Sequence, residues 1–159
     1  MESGSQTIEK MAEERAHVVV RGKASGFFQE ITSGPFHLEA DEPREVGGTE
    51  RAPDPYDYLL TALGACTSMT VGLYARRKNW PLEEAVVSLH HSRIYAQDCA
   101  DCETKTGMLD RIDVKLELLG ALTAEQRAKL MEIAHKCPVH RTLTSEINIR
   151  IREAGRRGA

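Results

Sequence analysis

The chain has 159 residues, a formal net charge of -3 and four cysteines. That is about one domain, long enough to bury most of its apolar surface without disulfide or metal staples. Acidic and basic residues are mixed along its length, which argues against a nucleic-acid or anionic-membrane surface.

In chain order, residues 1–15 are polar and read as a short helix or a loose tail. They lack the apolar core of a signal peptide, so a cytoplasmic protein is expected. In that reducing setting four cysteines are more often buried, redox-active or metal-bound than a disulfide framework. Residues 17–21, 27–31 and 36–40 read as three short antiparallel strands, the last two separated by Thr32, Ser33, Gly34 and Pro35. Residues 41–53 are a connection rich in Gly, Pro and charge, with a solvated loop as its plain reading.

The longest element follows. Asp54 is a helix cap, Pro55 suits the first helical position, Asp57 complements the positive end, and Arg76, Arg77 and Lys78 complement the negative end before Pro81. This is one helix of about six turns. From Tyr58 to Tyr74 it carries no charge on any face, so the sequence predicts a helix enclosed on nearly all sides. The apolar run is short for a bilayer, and Thr61, Thr67, Ser68 and Thr70 with two glycines fit a membrane span poorly. Gly64, Ser68 and Gly72 form a strip of small side chains where another helix can approach closely. Cys66 lies beside that strip.

Residues 85–95 have strand propensity, and residues 109–119 alternate, with Ile112, Val114, Leu116 and Leu118 facing a core. Thr123 and Gln126 form a capping box for an amphipathic helix ending near Lys136. Ile147, Ile149 and Ile151 alternate in a closing strand over residues 145–152. The expected organisation is a polar segment at 1–15, one domain over 16–153 and a loose tail at 154–159. Strands, a long helix, two strands, a helix and a strand make an α+β fold, with helices gathered on one side of antiparallel sheet. This little structure barely covers the apolar helix, and a second copy of the chain would supply the remaining cover.

Three arrangements bear on chemistry. Cys99 and Cys102 form a C-x-x-C in a polar loop. A second ligand pair for zinc is missing, and the thioredoxin-like position at a helix start is missing too, so the pair reads as incidental. Pro138 starts a new helix and puts Cys137 at its N-cap, where backbone N–H groups and the helix dipole favour a thiolate. The alternative is a structural cysteine at a helix junction. The third arrangement pairs Cys137 with Cys66, whose own plain reading is an inert buried thiol. Two thiols that meet can run a cycle of sulfenic acid and disulfide.

The stretch Leu59-Leu-Thr-Ala-Leu-Gly-Ala-Cys66-Thr-Ser-Met-Thr and the stretch Cys137-Pro-Val-His-Arg-Thr-Leu143, in this order and separation, resemble the two cysteine motifs of the OsmC/Ohr family. The likeness covers residues 16–153. The residues around Pro53 to Tyr58 and Asp98 to Glu103 look closest to a subgroup often fused to an α/β-hydrolase. The resemblance implies an intertwined homodimer with antiparallel sheets around long central buried helices and two sites at the interface. It implies a cytoplasmic thiol peroxidase acting on organic hydroperoxides, with Cys66 peroxidatic, Cys137 resolving, an external dithiol as reductant, and no cofactor, metal, nucleic acid or membrane. The family's arginine falls to Arg44 first and Arg51 second. Tyr56 occupies the usual place of its glutamate, leaving Asp57 as the nearest carboxylate. In this cycle a Cys66 thiolate attacks the peroxide, and Cys137 closes a disulfide on the resulting sulfenic acid. Leu59, Leu63, Met69 and Leu73 suit an alkyl group. Two other classes stand beside this one: a Cys-His hydrolase or transferase using His140, His90 or His91, and a non-catalytic dimeric binding module.

Overall fold

The computed structural model describes residues 17–154, so the readings of residues 1–15 and of the last residues lie outside the described part. The chain forms two compact units, one ending at Leu59 and one beginning at Leu60. In the first, β1 (Val18–Gly22), β2 (Gln29–Ser33) and β3 (Phe36–Ala40) make an antiparallel sheet in sequence order. β2 begins two residues later than the hydrophobicity of Phe27 and Phe28 suggests. Gln29 pairs with Gly22 and Ser33 with Phe36, so Thr32 and Ser33 belong to the ladder. The turn shrinks to Gly34 and Pro35, with Gly34 at a φ of 56°, which glycine adopts without a Cβ clash.

The connection after β3 is largely exposed, as its plain reading has it, but is built around one buried carboxylate. Asp41 is buried and accepts hydrogen bonds from the backbone N–H groups of Glu42 at 2.9 Å, Thr49 at 3.1 Å and Arg51 at 3.2 Å, and from the Thr49 hydroxyl. The Thr49 hydroxyl does most to hold its pKa below the usual carboxylate range, against the opposing effect of desolvation. Gly48 is required here because a Cβ would collide with the Glu42 carbonyl. A single 3-10 turn, Arg44–Val46, lies inside this knot.

Helix α1 (Pro55–Lys78) starts as its sequence suggests. Asp54 and Asp57 cap each other: the Asp57 N–H donates to Asp54 Oδ1 at 2.8 Å, and the Asp54 N–H donates to Asp57 Oδ2 at 3.1 Å. At the other end Asn79 takes a positive φ of 54°. The Trp80 N–H bonds the Ala75 carbonyl at 2.9 Å and the Asn79 N–H bonds that of Arg76 at 3.1 Å, which closes the helix in a Schellman motif.

In the second unit β4 (Glu84–Tyr95) and β5 (Met108–Leu119) form a long antiparallel hairpin. α2 (Ala124–Ala134) begins with the expected capping box and ends slightly before Lys136, and α3 (Pro138–Leu143) follows. Val71 and Ala75 of α1, Leu118 of β5 and Leu130 and Ile133 of α2 form the core. Leu130 is fully buried, a stabilisation of about 2 kcal/mol from area alone. Arg127 ties the end of β5 to α2, donating to the carbonyls of Leu118 and Gly120. Leu118 is buried and Ile112 and Leu116 are half-buried as alternation predicts, whereas Val114 on the same face is 43% exposed.

Three expectations change. α1 is not enclosed: Leu63, Gly64, Thr67, Val71 and Ala75 make one buried stripe, while Met69 is 71% and Leu73 42% exposed. The small-residue strip faces β4 of the same chain rather than a helix. Gly64 lies against Leu89, and Ser68 Oγ donates to the Ala85 carbonyl at 3.4 Å. The closing strand is absent. Residues 145–154 form no regular element, and Ile149 and Ile151 are 78% and 94% exposed. Alternation alone makes no strand, because a strand needs a ladder partner. By length and composition α1 would also pass for a membrane span, with a mean hydropathy of 1.3. One stripe of it packs on β4 and α2, and 28% of the apolar window is buried.

Candidate functional site

Cys66 sits midway along α1 and Cys137 is the N-cap of α3, as the sequence places it. Packing of α1 and α3 within the second unit brings the two thiols near enough for each to shift the other's pKa. Both are free cysteines; Cys66 is partly exposed and Cys137 fully buried. Helical geometry of α3 directs the Val139 N–H at both sulfurs and the His140 N–H at Cys137. Thr67, next along α1, adds its side chain to Cys137, and its hydroxyl also bonds the Leu63 carbonyl at 2.8 Å.

The surroundings of the two sulfurs differ. Burial pushes the Cys66 thiol above the ordinary cysteine range, sharing a hydrogen bond with Cys137 adds to this, and the Val139 N–H only partly offsets it. Burial acts on Cys137 in the same direction and is its largest single influence. There it is outweighed by the Cys66 thiol, the N–H groups of His140 and Val139 and the Thr67 side chain, so Cys137 lies below the ordinary range.

A cavity of about 420 Å³ adjoins this pair, with Thr67 and His140 in its wall and Leu63, Ile112, Leu116 and Met131 as its apolar lining. His140 Nδ1 is buried with no hydrogen-bond partner, and the His135 ring meets the His140 ring edge-on at 5.6 Å. Of the other histidines weighed from sequence, His91 bonds Asp110 through Nε2 at 2.9 Å and His90 is exposed.

The remaining predicted site residues lie in the first unit. Arg44 Nε is 3.6 Å from a Glu50 carboxylate oxygen, with most of its side chain in solvent. Arg51 meets Glu39 at 3.4 Å and stacks over the Phe28 ring at 4.3 Å. The Asp57 carboxylate serves the helix cap. Thr67 was not singled out from sequence, whereas the α3 N–H groups were expected at the N-cap. The signal for the N–H groups was present, since a cysteine followed by proline at a helix start presents the next amides to its sulfur.

Cys99 and Cys102 are joined as a disulfide, not left as an incidental thiol pair. With Asp101 they are the one metal-type grouping among the described residues, but their sulfurs are bonded to each other.

The model of the family described as OsmC-like protein matches residues 47–152, two-thirds of the chain and both free cysteines. The chain belongs to the OsmC-like family. No curated protein sequence matches it. Among solved structures, the OsmC-like protein of Mycoplasma pneumoniae superposes with a TM-score of 0.63 at 20% identity, over 81% of this chain and 86% of that one. The organic hydroperoxide resistance protein OsmC of Legionella pneumophila gives 0.59 at 22% identity, over 80% and 87%. The organic hydroperoxide resistance protein of Elizabethkingia anophelis gives 0.56 at 19% identity, over 80% and 86%. At these identities the likeness establishes a shared α+β fold, antiparallel sheets with a central helix, for this OsmC-like chain.

Proposed function

We propose that the chain is a cytoplasmic thiol peroxidase that reduces organic hydroperoxides to alcohols, built as one OsmC-like domain over residues 16–153 and active as a homodimer. The observation that carries this reading is the proximity of Cys66 and Cys137 beside an apolar cavity. The Legionella and Elizabethkingia proteins, named for organic hydroperoxide resistance, point the same way.

Burial raises the Cys66 thiol above the ordinary range, against the thiolate that the cycle uses, so the cycle needs a neighbour that removes its proton. A Cys137 thiolate takes the proton of Cys66 as the latter attacks the distal peroxide oxygen. The O–O bond breaks, the alkoxide is protonated to the alcohol, and Cys66 becomes a sulfenic acid. Cys137 then attacks Cys66, water leaves, and a Cys66–Cys137 disulfide remains for an external dithiol to reduce. A cation beside Cys66 favours its thiolate. Arg44 is the first choice because it is held only by an exposed ion pair, Arg51 is the second, and Asp57 takes the place of the missing glutamate as the arginine's carboxylate partner. Cover for the bare stripe of α1 comes from the second copy, and so does a ladder partner for Ile147, Ile149 and Ile151.

The test starts from protein with Cys66 and Cys137 reduced and adds one equivalent of cumene hydroperoxide. Intact mass should fall by two hydrogens, with a peptide linking Cys66 to Cys137. Cys66→Ser should consume no peroxide, and Cys137→Ser should leave a sulfenic acid that dimedone traps. Arg44→Ala should lose turnover most at neutral pH and recover part of it in alkali. An unchanged mass, or full activity in Cys66→Ser, overturns the reading.

A further inference from the structure

The C-x-x-C loop has no part in that cycle, yet it gathers three metal-type side chains in one place. The Cys99–Cys102 disulfide sits at the tip of the β4–β5 hairpin, just after a 3-10 turn at Ala96–Asp98. A structural role is poorly served there. The bridge spans a sequence separation of three, so it removes little chain entropy. The hairpin beneath it is already held by a continuous ladder from Glu84 paired with Leu119 to Tyr95 paired with Met108. In the reducing compartment expected for this chain, cellular thiols keep such a partly exposed pair reduced.

The loop is rooted in the hairpin. The Ala96 N–H bonds the Gly107 carbonyl at 2.8 Å, the Cys99 N–H bonds the Ala96 carbonyl at 3.2 Å, and Lys105 Nζ donates to the Cys102 carbonyl. On this frame the sulfurs of Cys99 and Cys102 and a carboxylate oxygen of Asp101 all lie within 4.8 Å of one another. Cys99 Sγ and Asp101 Oδ1 are 3.4 Å apart. Around a tetrahedral zinc ion, a sulfur at about 2.3 Å and a carboxylate oxygen at about 2.0 Å stand roughly 3.5 Å apart, and two sulfurs roughly 3.8 Å apart. The first separation is therefore in place. The Cα–Cα distance of 5.5 Å between the cysteines lets the second form by side-chain rotation once the S–S bond is gone.

Charge also favours a cation. Asp98 and Asp110 share the wall of a cavity of about 290 Å³ with the three groups, and the cation in that wall, Arg111, is paired with Asp113 at 2.9 Å. Asp110 is itself held by His91 Nε2 at 2.9 Å, so it contributes negative field and is not counted as a ligand.

We propose that the reduced loop is a zinc site, with Cys99, Cys102 and Asp101 as ligands and water in the fourth position. A carboxylate thus stands in for the second cysteine pair that the sequence lacks. An external dithiol converts the bridge to two thiols and leaves as a disulfide; zinc then replaces both thiol protons, which pass to solvent. The two sulfurs cannot be bonded to each other and ligate at once, so the site takes metal only when reduced. It does so whether or not Cys66 and Cys137 run a peroxidase cycle.

Cobalt(II) tests this on the full chain, because thiolate ligands give it a charge-transfer absorption that water and carboxylates do not. Protein reduced with a phosphine and freed of metal should take up one cobalt per chain with that absorption, and zinc should displace it one for one. Zinc should also shield Cys99 and Cys102 from alkylation by iodoacetamide, as mapped by mass spectrometry. Cys66→Ser/Cys137→Ser should bind as the wild type does, and Cys99→Ser/Cys102→Ser should lose the absorption. Asp101→Asn should weaken zinc binding about tenfold or more, since a lost ligand costs at least what a lost supporting partner does. Protein with the loop oxidised tests the same sulfurs without any substitution and should bind no cobalt. No charge-transfer absorption in the reduced wild type, equal binding in the oxidised protein, or survival of the absorption in Cys99→Ser/Cys102→Ser overturns the proposal. Loss of binding in Cys66→Ser/Cys137→Ser, or unchanged affinity in Asp101→Asn, overturns the ligand set.

Discussion

Met69→Lys separates the fold of one chain from the assembly of two. Met69 is 71% exposed on α1, in line with the exposed Ala62, Ala65 and Leu73. In a lone chain the new ammonium stays in water, and stability changes by no more than about 0.5 kcal/mol. Under the proposed homodimer the same position is covered, and an unpaired buried charge costs about 3–5 kcal/mol. A homodimer carries the charge twice, and at tenfold per 1.4 kcal/mol the dimer dissociation constant rises by roughly 10⁴ to 10⁷. Sedimentation equilibrium at micromolar concentration reads this directly, with Met69→Leu as the control that keeps the apolar surface. The wild type and Met69→Leu should sediment as dimers and Met69→Lys as the 17.7 kDa monomer. If the wild type is itself a stable monomer, or if the lysine variant sediments unchanged, the covered stripe does not exist.

Leu130→Ala should lower stability by about 2–5 kcal/mol in urea melts, since Leu130 is fully buried in the Val71, Leu118 and Ile133 cluster; a loss under about 1 kcal/mol would misplace the core. Gly64→Ala sets a helix-propensity gain of about 1 kcal/mol against an overpacking cost of about 1–3 kcal/mol, because its Cβ would lie 2.7 Å from Leu89 Cδ1. A net loss is expected in thermal melts, whereas a gain would show that Leu89 yields freely. Glu132 contacts Lys129 and Lys136, and its bonds to Lys136 and then Lys129 hold its pKa down at about 2, from an ordinary 4.5. The pairing therefore stabilises the fold above about pH 4.5 and is lost as pH falls through about 2. Glu132→Gln should melt below the wild type at neutral pH by a margin that closes across that window and shrinks in salt; a margin independent of pH would rule out the ion pairs as its source.

The parts legible in the sequence are those set by local chemistry. Asp54, Pro55 and Asp57 announced the start of α1, Thr123 and Gln126 that of α2, and Pro138 the N-cap position of Cys137. Illegible parts depend on what lies across space. Ile147, Ile149 and Ile151 alternate like a strand, yet no strand among the described residues pairs with them. Gly64 and Ser68 signalled close approach correctly but could not say that β4, not a helix, approaches. Asp41 gave no sign of its role, because a carboxylate that gathers the amides of Thr49 and Arg51 looks like any acid in a charged loop. The pairing of Cys66 with Cys137 came from family likeness; the residues alone left Cys66 an inert buried thiol and Cys137 an N-cap thiol with no named partner.

The sheet topology also bears on how the chain comes into being. Every ladder joins neighbours in sequence, β1 to β2, β2 to β3 and β4 to β5. Such local pairing closes short loops and favours fast folding. At about 5–20 residues per second of synthesis, the first sheet is complete several seconds before the ribosome releases the chain. The slow step is then the encounter of two finished copies with bare α1 stripes and unpaired C-terminal segments, a stage at which assembly and aggregation compete. Refolding followed at two protein concentrations should resolve a first phase indifferent to concentration and a second that accelerates with it; a single phase indifferent to concentration would place all folding within one chain.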